Sequence, residues 1–306
     1  MKIVRLGLMC LLSIILILMP TSTAFALEEV GMEIHYAHGA CAFDFYKLAD
    51  YVGEGKFVPA APFDRYTDTV PLLLGIEGLT TEEVRLLSTT MESIVLRDGI
   101  APTVTASTDT DGRLVLTPME QGVYLVLGAS TTDGRYRYTP SPIVVTIPAR
   151  DPADEWHSYV IVEHNKVLKE ELGEETTHRE VIKIWQDDGN EARRPDAITV
   201  QLLQDGDVYD TVQLTADNNW FYRWDDLPAE HTYTATEVDV PNPYTLSVER
   251  DHTAIYIINT YDGPPPPPPP DLPQTGQLWW PVPLLLVLGV CSLILGTCRG
   301  RQRRAE

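Results

Sequence analysis

Val181-Ile182-Lys183-Ile184-Trp185 alternates along its length, with Val181, Lys183 and Trp185 on one side of an extended chain and Ile182 and Ile184 on the other. Ile198-Thr199-Val200-Gln201-Leu202-Leu203 follows, then the aromatic alternation Trp220, Tyr222, Trp224. Short runs at this spacing, with no helical period among them, predict a small β-sandwich over residues 180–262. If Val181 and Trp185 face its core, Lys183 is buried with them. Asn259 shares a face with Ile257 and Ile255 by the same two-residue period.

Upstream, residues 27–165 read as another β domain. Its short apolar or β-branched runs are Leu114-Val115-Leu116, Val123 to Leu127 and Ile143 to Ile147, each bounded by Gly, Pro or Asp. Phe43, Phe45 and Tyr46 form a first compact apolar segment. One helix interrupts the strands, from about Thr81 to Arg97. Thr80 and Glu83 give it a capping box, and Val84, Leu87, Met91, Ile94 and Val95 form a core-facing stripe. From Trp156 to Glu175 a closing strand leads into a charged connector, 166–179. Asp109-Thr110-Asp111-Gly112 and Asp187-Asp188-Gly189-Asn190 alternate carboxylates as calcium loops do, but lack the distal Glu and spacing of an EF-hand. Hairpin turns with a left-handed Gly explain both more simply.

The two ends of the chain carry different signals. Lys2 and Arg5 precede an apolar core, and Ala24-Phe25-Ala26 offers a cleavage site, so residues 1–26 read as a secretory signal peptide. Cys10 lies within that apolar core behind a poor lipobox, which argues against a lipoprotein. Pro264 to Pro270 are consecutive prolines, and the stretch 263–271 is expected to form a stiff polyproline II stalk. An SH3-type ligand is the competing reading, but such partners belong inside cells. Leu272-Pro273-Gln274-Thr275-Gly276 comes next. The apolar stretch 277–298 is long enough to cross a bilayer as a helix, and the tail 299–306, with Arg299, Arg301, Arg303 and Arg304, favours the cytoplasmic side.

The formal charge is -21, and removal of both ends leaves 17 Lys+Arg against 43 Asp+Glu. A surface this acidic is a poor match for nucleic acid, which needs basic patches to replace counterions. Three of the four cysteines lie in the removable ends, so Cys41 has no partner for an intramolecular disulfide. It reads as a buried, inert thiol. The seven histidines and the carboxylates show no nucleophile–base or metal-ligand spacing. No enzyme activity, metal or cofactor is expected.

Val181 to Trp185, Arg194 to Leu202, Leu214 to Trp220, Asp226-Leu227-Pro228, Tyr233 to Glu237 and Ile258-Asn259-Thr260 resemble the Cna B-type domain of Gram-positive adhesins and pilins, in order and spacing. The resemblance implies an inverse immunoglobulin-like sandwich whose first and last strands lie side by side. It also implies a spontaneous Lys–Asn isopeptide bond, assisted by an acid on an intervening strand. By motif, the members are Lys183, Asn259 and Glu237. Burial favours the neutral forms of Lys183 and Glu237, which suits attack of the amine on the Asn259 carbonyl while the acid polarises it. A buried Lys–Glu ion pair beside an uninvolved Asn259 is the simpler alternative.

More loosely, Ala42 to Ala49, Thr110-Asp111-Gly112, Gly122 to Val126, Pro140 to Val145, and Trp156 with Tyr159 resemble the N-terminal domain of Gram-positive pilin subunits. In those, a motif such as Tyr-Pro-Lys supplies a lysine that sortase joins to a neighbouring subunit. The matching place here reads His164-Asn165-Lys166, which keeps the lysine and lacks Tyr-Pro. With no matching lysine on the strand Met32 to Tyr36, no such internal bond is expected in this domain. Leu272 to Gly276, ahead of an apolar run and arginines, resembles the LPxTG signal that a sortase cuts between Thr275 and Gly276; the alternative is an ordinary membrane anchor with a chance match. These features together look like a basal or ancillary pilin: all-β, two tandem immunoglobulin-like sandwiches, the first with a helical insertion, covalently attached to the Gram-positive wall. Expected partners are sortase, peptidoglycan, a backbone pilin and a host ligand; the membrane is a partner only before sorting. A free-standing adhesin or spacer outside any pilus is the alternative.

Overall fold

Helix α1 (Thr81–Arg97) begins where its sequence says it should. The Thr80 hydroxyl accepts a hydrogen bond from the Glu83 amide, and Glu83 reaches back to the Thr80 amide at 2.7 Å. The computed structural model describes residues 29–151, 153–173, 175–264 and 285–290. The chain divides into two units at Gly263. In the second unit, residues 285–290 are helical. The expected signal segment 1–26, the sorting pentapeptide 272–276, the tail 299–306, and most of the stalk and apolar run lie outside the described residues. Among the described residues no helix is long and apolar enough to cross a membrane.

The rest is mostly strand. Before α1 run β1 (Gly31–Tyr36), β2 (Ala42–Gly53) and β3 (Lys56–Pro59). After it come β4 (Val104–Ser107), β5 (Arg113–Leu116), β6 (Gly122–Gly128), β7 (Thr131–Asp133), β8 (Tyr136–Pro140) and β9 (Ile143–Ile147). The short β10 (Ala149–Arg150) and β11 (Trp156–His157) pair with each other, and β12 (Tyr159–His164) closes the first sandwich beside β1. The second sandwich holds β14 (Thr176–Gln186), β15 (Ala197–Gln204), β16 (Asp207–Thr215), β17 (Phe221–Pro228), β18 (Tyr233–Glu237), β19 (Tyr244–Asp251) and β20 (Ala254–Tyr261). Its sheets have the orders β17-β14-β20-β19 and β16-β15-β18. Between the sandwiches lies β13 (Val167–Glu171), which pairs with β8. Residues 166–179 are therefore largely strand: Val167 to Glu171 run along a ladder with β8, and β14 begins at Thr176.

The turns differ from expectation in one respect. Asp109 to Gly112 forms a tight turn in which Asp109 Oδ1 accepts from the Asp111 and Arg113 amides. Gly112 has φ +80°, and a Cβ there would meet the Tyr36 carbonyl oxygen at 1.9 Å. Yet β4 pairs with β2 while β5 pairs with β1, so the turn carries the chain between sheets and does not close a hairpin. Asp187 to Asn190 likewise leads from one sheet of the second sandwich to the other. Here the Asp187 carboxylate is buried, and Arg194 grips it bidentately at 2.6 and 2.7 Å. A fork of that geometry explains the acid without a metal.

Strand β2 buries side chains on both of its faces. Phe43 and Phe45 enter a core with Met32, Ile34, Val126 and Ile147 inside the first sandwich. Tyr46 and Leu48 turn the other way and join a second core with Leu87 and Met91 of α1 and with Val181, Val200, Leu246 and Ile257 of the second sandwich. Helix α1 thus packs against β9 and β6 on one side and β19 and β18 on the other. It also covers an open edge. The Thr90 hydroxyl accepts from the Val248 amide at 2.9 Å, and the Thr89 hydroxyl donates to the Val248 carbonyl, satisfying groups that edge strand β19 leaves unpaired. At the other end, the buried Arg137 of β8 donates to the Ala229 and His231 carbonyls of the second sandwich.

Cys41 is buried at 3% exposure, its thiol donates to the Ala129 carbonyl at 3.1 Å, and burial pushes it up to about 11. A water-soluble disulfide reagent at pH 8 should modify it at least about a hundredfold more slowly in the folded protein than in urea. Equal rates would show that the thiol is accessible.

Candidate functional site

In the second sandwich β14 and β20 run parallel and adjacent, with Lys183 opposite Ile257 and Trp185 opposite Asn259. This register is what brings Lys183 and Asn259, far apart in sequence, onto neighbouring strands with both side chains inward. Glu237 arrives from the facing sheet, at the end of β18 and opposite Val200 of β15. Lys183 Nζ lies 3.2 Å from Glu237 Oε2, and both side chains are wholly excluded from solvent. Asn259 Nδ2 donates to Glu237 Oε1 at 3.1 Å, and the amine also lies 3.4 Å from the Ile257 carbonyl. The Trp185 ring, 4.5 Å from Nζ, closes the site, itself packed edge-on against Trp220 and Tyr244.

Electrostatics favour neutral partners. Burial drives the Lys183 ammonium down to about 8, although the Glu237 carboxylate opposes that shift. Burial raises Glu237 above the usual carboxylate range against the pull of Lys183, Asn259 and Arg97. The contact between Nζ and Oε2 is not aligned as a hydrogen bond, and among the described residues Asn259 Oδ1 has no hydrogen-bond partner. Rotation of the amide by 180° exchanges its nitrogen and oxygen with little change of shape. A protonated Glu237 would then donate to the Asn259 carbonyl and polarise it. The arrangement brings together a neutral amine, a carboxylic acid and a primary amide, all buried from solvent, the groups that one acyl transfer needs.

The first sandwich repeats the frame without the chemistry. Its β1 and β12 are also parallel neighbours, with Ile34 opposite Val162 and Tyr36 opposite His164. Its β1 turns Met32, Ile34 and Tyr36 inward and β12 buries His164, and neither strand holds a lysine or an asparagine. No amine faces an amide there.

Lys166 sits in the two-residue gap between β12 and β13, exposed, with its carbonyl accepting from the Ser141 amide at 3.0 Å. It borders a groove of about 560 Å³ floored by Pro140, Pro142, Ile143 and Val167 and flanked by Arg85 and Arg250. Thr275 and the rest of the expected sorting pentapeptide are outside the described residues. A three-residue group that the sequence did not suggest, Asp151, Glu155 and His157, brings its ligand atoms within 4.8 Å of one another. Asp151 already accepts from the Ala153 and Glu155 amides and lies 3.0 Å from His157 Nε2, so its oxygens are engaged. Sequence reasoning also passed over Arg97 and Arg137, because an arginine that finds a distant backbone carbonyl leaves no local pattern, and it read Asp187 as a turn residue and not as the partner of Arg194.

A β-sandwich whose parallel first and last strands present a lysine and an asparagine to a buried acid defines the class. Residues 179–260 match the family model described as the Cna protein B-type domain. A stretch of 98 residues is 30% identical to the collagen adhesin of Staphylococcus aureus, covering 32% of this chain and 8% of the adhesin. The chain thus spans less than a tenth of that relative. Among solved structures, a single B repeat unit of the collagen-binding surface protein of Staphylococcus aureus aligns over 76% of this chain and 97% of its own, with 15% identity and a TM-score of 0.27. The full-length major pilin RrgB of Streptococcus pneumoniae aligns over 78% and 38%, with 12% identity and a TM-score of 0.28. A streptococcal ancillary pilin aligns over 78% and 64%, with 12% identity and a TM-score of 0.25. TM-scores this low do not define a shared fold. The Cna B-type family is one of structural, non-enzymatic surface proteins.

Proposed function

We propose that this chain is a sortase-anchored structural protein of the Gram-positive surface, a minor or basal pilin subunit, whose second sandwich is locked by an isopeptide bond between Lys183 and Asn259. The observation that carries the reading is the solvent-free contact of Lys183, Glu237 and Asn259. The neutral Lys183 amine attacks Asn259 Cγ, a C–N bond forms, and the Cγ–Nδ2 bond breaks. Glu237 takes a proton from the attacking nitrogen and delivers one to the leaving nitrogen, so ammonia departs and the acid is regenerated. The exported protein should therefore weigh about 17 Da less than its sequence, the mass of one ammonia lost in the acyl transfer.

The wall attachment rests on Leu272 to Gly276 with the apolar run and arginines behind it. Sortase would join Thr275 to peptidoglycan and discard the rest. The family match at 179–260 and the collagen adhesin relative agree with a surface location. Lys166, exposed on the rim of the groove, is the amine proposed to receive a second subunit. Muramidase-released wall fractions should show a ladder of polymers that Lys166→Ala collapses to the monomer. A ladder unchanged by Lys166→Ala would remove this lysine from the linkage. Absence of any ladder from the wild type would favour a free-standing adhesin or spacer, the reading to which the missing Tyr-Pro before Lys166 points.

A further inference from the structure

The Lys183–Glu237–Asn259 site lies in the second sandwich, but one of its supports comes from the first. Strand β18 is an edge strand of its sheet and ends at Glu237, where ladder pairing runs out. The residue after it is held by the Val238 amide donating to Thr199, while the Glu237 carbonyl faces the last turn of α1. Arg97 Nη1 donates to that carbonyl at 2.9 Å and approaches the Val238 carbonyl at 3.5 Å. The rest of the guanidinium is pinned. Its Nε and Nη2 grip the Asp98 carboxylate at 2.7 and 3.0 Å, and Tyr66 donates its hydroxyl to the same carboxylate. The fork is therefore held by groups of the first sandwich, and its remaining nitrogen is aimed chiefly at the Glu237 carbonyl, with the Val238 carbonyl at longer range. The Arg97 side chain is only 13% exposed, so water competes little for that oxygen.

A general acid works only when its carboxyl is placed to within a fraction of an ångström. The Glu237 side chain swings from a backbone with a strand neighbour, β15, on one side only. We propose that Arg97 is a positioning residue for Glu237, and that docking of α1 onto the second sandwich makes that sandwich competent to form its isopeptide bond. The inference rests on the isopeptide reading above and adds a condition to it: cross-linking waits until the two sandwiches have come together. The chain would then lock only in its assembled state, so the bond would not trap a misdocked one.

The test is a pulse of cell-free synthesis of the full chain, quenched into acid at intervals and read by intact mass, with tryptophan fluorescence following folding in parallel. The wild type should lose about 17 Da, the mass of one ammonia, soon after folding. Arg97→Ala should reach the folded fluorescence signal at the wild-type rate yet lose ammonia about tenfold more slowly or worse, the cost of one charge-assisted hydrogen bond. Arg97→Lys, which keeps a cationic donor without the fork, should recover part of the rate. Asp98→Asn keeps the arginine but loosens its anchor, and should slow bonding less than Arg97→Ala. Bond formation in Arg97→Ala at the wild-type rate, or a delay that matches delayed folding, would overturn the proposal. A wild type that never loses ammonia would instead overturn the isopeptide reading, and this proposal with it.

Discussion

Glu237→Ala should carry the full mass of its own sequence, where the wild type falls about 17 Da short of its own, because ammonia is never expelled from Asn259. Its thermal unfolding should fall as well. A covalent tie between Lys183 and Asn259 closes a loop of about 75 residues, which the chain-entropy model used for disulfides values at about 4.5 kcal/mol. For a chain of this size that corresponds to a drop on the order of 10 °C. The variant also strands a lysine in the core, and an unpaired buried charge would cost about 3–5 kcal/mol if it stayed charged. Lys183 escapes most of that penalty, since burial already brings its ammonium down to about 8 and loss of the carboxylate would depress it further. Lys183→Met separates the two effects: it removes the tie and fills the site with an apolar chain of similar length. Calorimetry of both variants beside the wild type decides the matter. If the wild type and both variants all carry the full mass of their own sequences, the buried group is only an ion pair.

Ile94→Ala should destabilise the whole body from Gly31 to Tyr261 and not the first sandwich alone. Ile94 has no solvent exposure and belongs to the core that residues of both sandwiches share. Truncating a buried isoleucine typically costs about 2–5 kcal/mol, with the upper end where the surroundings cannot collapse. Helix α1 is held on both sides, by β9 and β6 and by β19 and β18, so the cavity should stay open. Calorimetry should show one transition moved down as a unit. Phe45→Ala is the companion measurement, because Phe45 lies in the core confined to the first sandwich. Two separate transitions in Ile94→Ala, with the upper one unmoved, would mean that the sandwiches unfold independently and that α1 serves only one of them.

These expectations place the chain's resistance to force at two levels. The predicted bond joins the first and last strands of the second sandwich, where tension would otherwise shear β14 from β20. The first sandwich has the same parallel closure between β1 and β12, but neither strand holds a lysine or an asparagine. Its security comes from packing, from α1, and from Arg137 reaching the Ala229 and His231 carbonyls.

Much of this was legible along the chain, and the reason is period. Val181, Lys183 and Trp185 alternate because a strand turns successive side chains to opposite faces, and Thr80 with Glu83 marks a helix start because capping joins residues three apart. Such local rules place strands, one helix and the faces of Lys183 and Asn259. They left the two-sided burial of β2 unread, since Asp44 and Lys47 interrupt its apolar residues. Tertiary structure alone decided which strands became neighbours. It set Lys183 opposite Ile257, carried Glu237 in from the facing sheet, sent two turns between sheets where hairpins were expected, and wedged α1 between the sandwiches. The contact between Arg97 and the Glu237 carbonyl spans 140 residues. A backbone acceptor is the same at every position, so no residue pattern could announce which one that guanidinium would find.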